Sequence, residues 1–328
     1  MLASGPTGAM QQTPLAARER FMLSTRGGLD IALQLQRASS TSYRADLVYV
    51  HGATFGADLS IYFPFDGRSW ADSLTDAGFA VWGFDFVGYG ASGRYPEQLN
   101  GPAAHIDDAA RDLSRVISAV RLRNGDRPVV LVAHSRGGSV AARYAGEHPA
   151  DAAALVLFAP IVTRPATLRG MASGTPPLAA TSHYPLSVWA QYRRFVEDVP
   201  KGQPQVLSEA YMESWANAFL ASDPTAASRA PASVLTPSGP LVDVAAMWSG
   251  KALFDPARIQ APTLLVRGEW DSSCTDADSA RLMSGLGAPV REAVKIGRAT
   301  HLMHLEQQRG ELYAQVNRFL QTVLPQSR

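Results

Sequence analysis

Five short runs of almost unbroken apolar residues, at 47–50, 80–84, 129–132, 154–158 and 263–266, recur along the chain. A strand with one wet face alternates polar and apolar side chains, whereas a strand covered on both faces does not. The runs therefore predict a parallel sheet buried on both sides. Amphipathic stretches separate them: Ile106, Ala109, Leu113, Ile117 and Val120 fall on one helical face, as do Leu312, Val316, Phe319 and Val323 near the end. Strands alternating with helices imply an α/β fold with a doubly wound, mostly parallel sheet, whose ligands sit at the carboxyl ends of the strands. Ahead of it, 21–25 and 29–35 read as short paired strands joined by Arg26-Gly27-Gly28.

One region breaks the alternation. Residues 161–254 show no buried-strand run, many prolines and two aromatic helical stripes, Val188, Tyr192 and Phe195, then Tyr211, Trp215 and Phe219. The expected organisation is a loose N-terminal tail at 1–18, a core at 19–160 and 255–328, and a helical cap at 161–254 inserted into that core. Each aromatic taken singly would fill the contact between cap and core; as a set they suggest an apolar pocket.

Composition narrows the function. The 328 residues are 46% apolar and 18% charged with a net charge of +1, which describes a soluble globular protein of one large domain or two smaller ones. The densest basic group, Arg121, Arg123 and Arg127, flanks the end of a helix near Gly125. Cations there complement the helix dipole, so nucleic acid is not an expected partner. A single cysteine, Cys274, excludes an internal disulfide and a cysteine-rich metal site. The first eighteen residues lack a signal-peptide pattern, and no segment approaches the ~18 apolar residues of a membrane span. The expectation is a cytoplasmic protein without a membrane partner.

The run ending at 132 leads directly into Ala133-His134-Ser135-Arg136-Gly137. A turn this tight between strand and helix strains its middle residue and needs small neighbours two positions away, here Ala133 and Gly137. A serine hydroxyl is a weak nucleophile at neutral pH, so it needs a histidine base and an acid that orients the imidazole. Both types occur at strand ends: the run at 263–266 leads to Arg267-Gly268-Glu269-Trp270-Asp271, and that at 293–296 to Ala299-Thr300-His301. From the residues alone the serine could equally cap a helix. Glu269, two positions before Asp271, would share its face of a strand, and Asp276 and Asp278 lie close by. His304, three positions after His301, could share its face of a helix. The acid has no alternative after the strand near Phe158, because 159–196 contains no carboxylate. Gly88-Tyr89-Gly90-Ala91-Ser92-Gly93 matches the dinucleotide fingerprint after a strand, yet Arg94-Tyr95-Pro96 follows where a helix should begin. No metal-binding spacing is present, and no cofactor is expected.

His51-Gly52 after an early strand, the segment from Asp85 to Ser92 after the next, the serine turn, the segment from Pro262 to Asp271, and His301 with Glu306 behind it stand in one family's order and spacing. On these residues the chain resembles the α/β-hydrolase superfamily, specifically its capped serine esterases, from about residue 20 onward. The resemblance implies Ser135 as nucleophile, His301 as base and Asp271 as acid. It also implies an oxyanion hole from the backbone N–H groups of Ala53 and Arg136. It places the base in the loop before the last helix, favouring His301 over His304, and gives His51 and His134 structural roles. A serine at the turn argues against epoxide hydrolases and haloalkane dehalogenases, whose nucleophile is aspartate. The expected activity is hydrolysis of a carboxylic ester, with a small ester bearing an apolar part as partner. Lactone, half-ester, thioester or C–C bond cleavage and a non-turnover ligand receptor are the alternatives. Ala133 departs modestly from the family's glycine, and the long aromatic segment at 53–67 is expected to line the acyl or alcohol side of the pocket. Arg136 has two readings: it recognises a substrate carboxylate, or it pairs with a structural acid.

Overall fold

The computed structural model describes residues 17–24, 28–38, 43–125, 127–166 and 181–325. β1 (Arg18–Leu23) and β2 (Ile31–Gln36) pair antiparallel. Their turn at 25–27 and most of the expected tail lie outside the described residues, and Arg18 already belongs to β1. The alternation then runs β3 (Ala45–Val50), α1 (Trp70–Asp76), β4 (Phe79–Phe84), α2 (Ile106–Asn124), β5 (Val129–His134), α3 (Arg136–Glu147) and β6 (Ala154–Phe158). Within 161–254 lie β7 (His183–Ser187), α4 (Val188–Val196), α5 (Met212–Ala221), β8 (Ser233–Pro237) and α6 (Gly239–Trp248). β9 (Thr263–Gly268), α7 (Asp276–Gly285), β10 (Arg291–Ile296) and α8 (Arg309–Val323) complete the chain.

The main sheet has the order β1-β2-β4-β3-β5-β6-β9-β10 and is parallel from β4 to β10. Alternate strand residues serve opposite faces, which is why unbroken apolar runs were needed. Val48, Trp82, Leu131, Leu155 and Leu265 pack beneath α2, α3 and α7, while Leu47, Val81, Val130, Val156 and Leu264 pack against α1 and α8. The helices thus cover both faces, and the turns at the ends of β5, β9 and β10 share one edge.

Residues 161–254 are not purely helical. β7 and β8 form a separate two-stranded antiparallel sheet, with His183 opposite Pro237 and Ser187 opposite Ser233. Their sequences, HYPLS, partly exposed, and SVLTP, largely buried, carry a proline each and lack the unbroken apolar run that marks the main sheet. The aromatic stripes fill an interface: Phe195, Trp215 and Phe219 are buried in one cluster with Phe55, Leu59, Phe63 and Phe65 of the segment at 53–67. Phe55 meets Phe195 and Trp215 edge-on at 6.0 and 5.3 Å, and the Trp215 indole N–H donates to the Leu59 carbonyl at 3.0 Å. These rings are therefore packed against each other and against the segment at 53–67. No helix of the described residues is long and apolar enough to cross a membrane.

Candidate active site

At the end of β5, Ser135 has φ 57° and ψ −126°, a conformation that L-residues seldom adopt and that the surroundings must enforce. Its N–H donates to the Phe158 carbonyl at 2.9 Å, and its carbonyl accepts from Gly138 N–H at 2.9 Å. A Cβ on Gly137 would overlap the carbonyl oxygens of Val50 and His51, so α3 can start against the end of β3 only with glycine there. Ala133 is fully buried in the core, where a methyl group fits.

The three expected residues come together. The Ser135 hydroxyl lies 2.7 Å from His301 Nε2, and His301 Nδ1 lies 3.0 and 3.1 Å from the two Asp271 carboxylate oxygens. A carboxylate only accepts, so Nδ1 carries the proton and Nε2 presents a lone pair to the hydroxyl. Asp271 is itself fixed by the N–H groups of Ser273 and Cys274, both at 2.9 Å. Burial works against a charged His301, but the charge and hydrogen bond of Asp271, with a smaller contribution from Asp198, hold its pKa above the ordinary histidine value. A protonated His301 imidazole is thereby favoured.

The rival residues have other partners. Glu269 is exposed and accepts from Arg298 N–H at 2.9 Å; Asp276 pairs with Arg267 and Lys295; Asp278 caps α7 and pairs with Arg164 at 2.7 Å. His304 is buried in the turn Met303–Leu305, with burial pushing its pKa down to about 3. The glycine-rich segment wraps a carboxylate: Asp85 accepts from Ala57 and Ala91 N–H at 2.9 and 3.0 Å, and a Cβ on Gly56 or Gly90 would overlap it. No helix begins after it until Ile106. Among the described residues no cluster of His, Cys, Asp and Glu could hold a metal ion.

Ala53 and Arg136 flank the elbow, and among the described residues neither backbone N–H has an acceptor. His51 orients the first of them. Its Nε2 accepts from Phe86 N–H at 2.9 Å, so Nδ1 carries the proton and donates to the Gly52 carbonyl at 2.8 Å. That carbonyl belongs to the same peptide unit as the Ala53 N–H. The Tyr89 hydroxyl donates to the Ala53 carbonyl at 2.7 Å, fixing the next unit. The Arg136 side chain is buried, donates to the Ala104 carbonyl at 2.6 Å and pairs with Asp243 of α6 at 3.4 Å. Asp243 also meets His105 Nδ1 at 2.9 Å. The guanidinium is therefore paired with a structural acid, the second of its two readings, through Nη2, while Nε and Nη1 have no partner among the described residues. Asp243, His105 and Asp198, whose carboxylate accepts from Ser272 N–H at 3.2 Å, carry no motif that would have marked them in the sequence.

Residues 44–308, well over half of the chain, match the family model described as serine aminopeptidase, S33. The chain belongs to the S33 serine hydrolase family. Its fold is the α/β-hydrolase fold, and solved structures share it with this S33 member. A membrane phospholipase A, described as a bacterial virulence factor, is 19% identical with a TM-score of 0.64, over 93% of this chain and 86% of that one. An esterase from Thermogutta terrifontis is 18% identical with a TM-score of 0.58, over 94% and 100%. A monoacylglycerol lipase from Paleococcus ferrophilus is 16% identical with a TM-score of 0.58, over 90% and 99%. No curated protein matches the sequence.

Proposed function

We propose that this S33 hydrolase cleaves a carboxylic ester through an acyl-enzyme on Ser135. The observation that carries the reading is the continuous chain from the Ser135 hydroxyl through His301 to Asp271. His301 Nε2 takes the hydroxyl proton as the serine oxygen attacks the ester carbonyl, and the N–H groups of Ala53 and Arg136 receive the oxyanion. The imidazolium, stabilised by Asp271, then protonates the leaving alcohol. Water activated by the same imidazole releases the acid and restores the serine. Phe55 and Leu302, neighbours of Ala53 and His301, bring the aromatic cluster up to the site and support an apolar part in the substrate. The esterase and lipase descriptions among the structural neighbours agree with this class.

Lactones, half-esters, thioesters and some C–C bonds yield to the same three groups, as an amide would in an aminopeptidase, so substrate panels decide among them. Intact mass after fluorophosphonate treatment is expected to show one adduct on the parent and none on Ser135→Ala. Turnover of p-nitrophenyl esters is expected to fall by about 10⁴-fold or more in that variant. Turnover confined to aminoacyl p-nitroanilides would overturn the ester reading; labelling without turnover of any substrate would favour a ligand receptor.

A further inference from the structure

His134, the residue before the nucleophile, is buried and faces two other loops of the site. Its Nε2 lies 3.0 Å from the backbone carbonyl oxygen of His301. A carbonyl only accepts, so Nε2 carries the proton and donates, leaving a lone pair on Nδ1. Among the described residues Nδ1 has no partner, and it lies against Gly52: a Cβ there would come within 3.2 Å of it. The ring stacks on Phe158 at 4.4 Å with 24° between planes and meets His304 edge-on at 4.7 Å. One imidazole thus packs against the loop that carries Ala53, bonds to the loop that carries His301, and is joined by a peptide bond to Ser135.

The geometry points to His134 as a positioning residue, whose Nε2–H···O=C bond to His301 sets the base loop at the distance at which its imidazole meets the Ser135 hydroxyl. This inference rests on Ser135 and His301 being nucleophile and base. The other bonds of the base loop hold it elsewhere. Glu306 ties it to Thr300, and Leu305 and Gln307 tie it to residues 206–208. Among the described residues, the His134 bond is the hydrogen bond that joins that loop to the end of β5 besides the Ser135–His301 contact itself, next to the ring contact of His134 with His304. The bonded carbonyl and the reacting imidazole belong to one residue, so a backbone shift there reaches Nε2 directly. Misplacement of about 1 Å costs on the order of a hundredfold in rate. Burial pushes the His134 pKa well below the ordinary histidine value, which favours the neutral ring.

The test compares His134→Phe, which keeps the stacked ring and removes the donor, with His134→Gln, whose amide N–H reaches toward the same carbonyl. The readouts are the rate and pH midpoint of Ser135 phosphonylation by a fluorophosphonate and the low-field His301 Nδ1 proton by NMR, on variants whose thermal unfolding shows a folded protein. The phenylalanine variant is expected to label roughly ten- to a hundredfold more slowly. Its pH midpoint should move down and its low-field proton broaden as His301 loosens from Asp271, while the glutamine variant stays within about threefold of the parent. If His134→Phe does not fold, His134→Asn, one methylene too short to reach, replaces it against glutamine with the same expectation. Labelling of the donor-free variant at the parent rate and midpoint overturns the positioning role, as does equal slowing of the donor-bearing variant. A parent that takes no label overturns the assignment of Ser135 itself, and the positioning role with it.

Discussion

Ser135 has a backbone conformation set by its neighbours, and at the residue scale the site is a series of such local constraints. Asp271 is aimed by two N–H groups, His51 by a donor that leaves only one tautomer, and His301 by a carboxylate. Glu306 is a different case. It is fully buried and accepts from Thr300 N–H at 3.1 Å, but burial raises its pKa from 4.5 to about 7. A carboxyl raised in the folded state contributes stability below its unfolded pKa and loses it as pH rises through the folded one. The parent should therefore lose roughly 3 kcal/mol from this group between pH 4.5 and 7, at about 1.36 kcal/mol per unit. Glu306→Gln has no such group. Urea unfolding at several pH values should find the variant gaining on the parent by about that amount over this window and level above it; parallel pH curves would refute the assignment. Glu306 was legible beside His301 as part of a family pattern, whereas its buried state required the contacts that only folding creates.

At the element scale, α3 and α6 meet through the Arg136–Asp243 pair, with His105 at the start of α2 completing it. A buried pair is weak evidence of net stabilisation, since desolvation offsets much of the attraction. Breaking it is another matter. Asp243→Leu leaves the guanidinium buried without a counter-charge and should cost about 3–5 kcal/mol, whereas Arg136→Met with Asp243→Leu should recover most of that loss. Equilibrium denaturation of both variants decides it, and an additive result would show that the two side chains do not act as a pair. The main strands and α2, α4 and α8 could be read from periodicity because burial on a regular element repeats at a fixed spacing. β7 and β8 could not, because a two-stranded sheet with a proline in each strand offers too short a repeat.

Across the whole molecule, the segment 161–254 touches all three loops of the site. Asp243 pairs with Arg136 beside Ser135, and Asp198 accepts from Ser272 beside Asp271. Residues 206–208 bond in β fashion to 305–307 after His301. Core and segment should therefore lose structure together. In a urea titration, loss of Ser135 phosphonylation and loss of native tryptophan fluorescence, dominated at this interface by Trp215, are expected to share one midpoint. Labelling that survives the fluorescence change would show a core that assembles its site unaided. The sequence by itself determined the doubly wound sheet and the strained serine turn, because strand burial and turn sterics are local and repeat along the chain. Tertiary structure alone decided that Asp271 and not Glu269 reaches the imidazole, that Arg136 faces Asp243, and that the aromatic stripes pack against the segment at 53–67. Those outcomes depend on contacts between residues 30, 107 and 156 positions apart, which are set when the sheet edges align and no local pattern records.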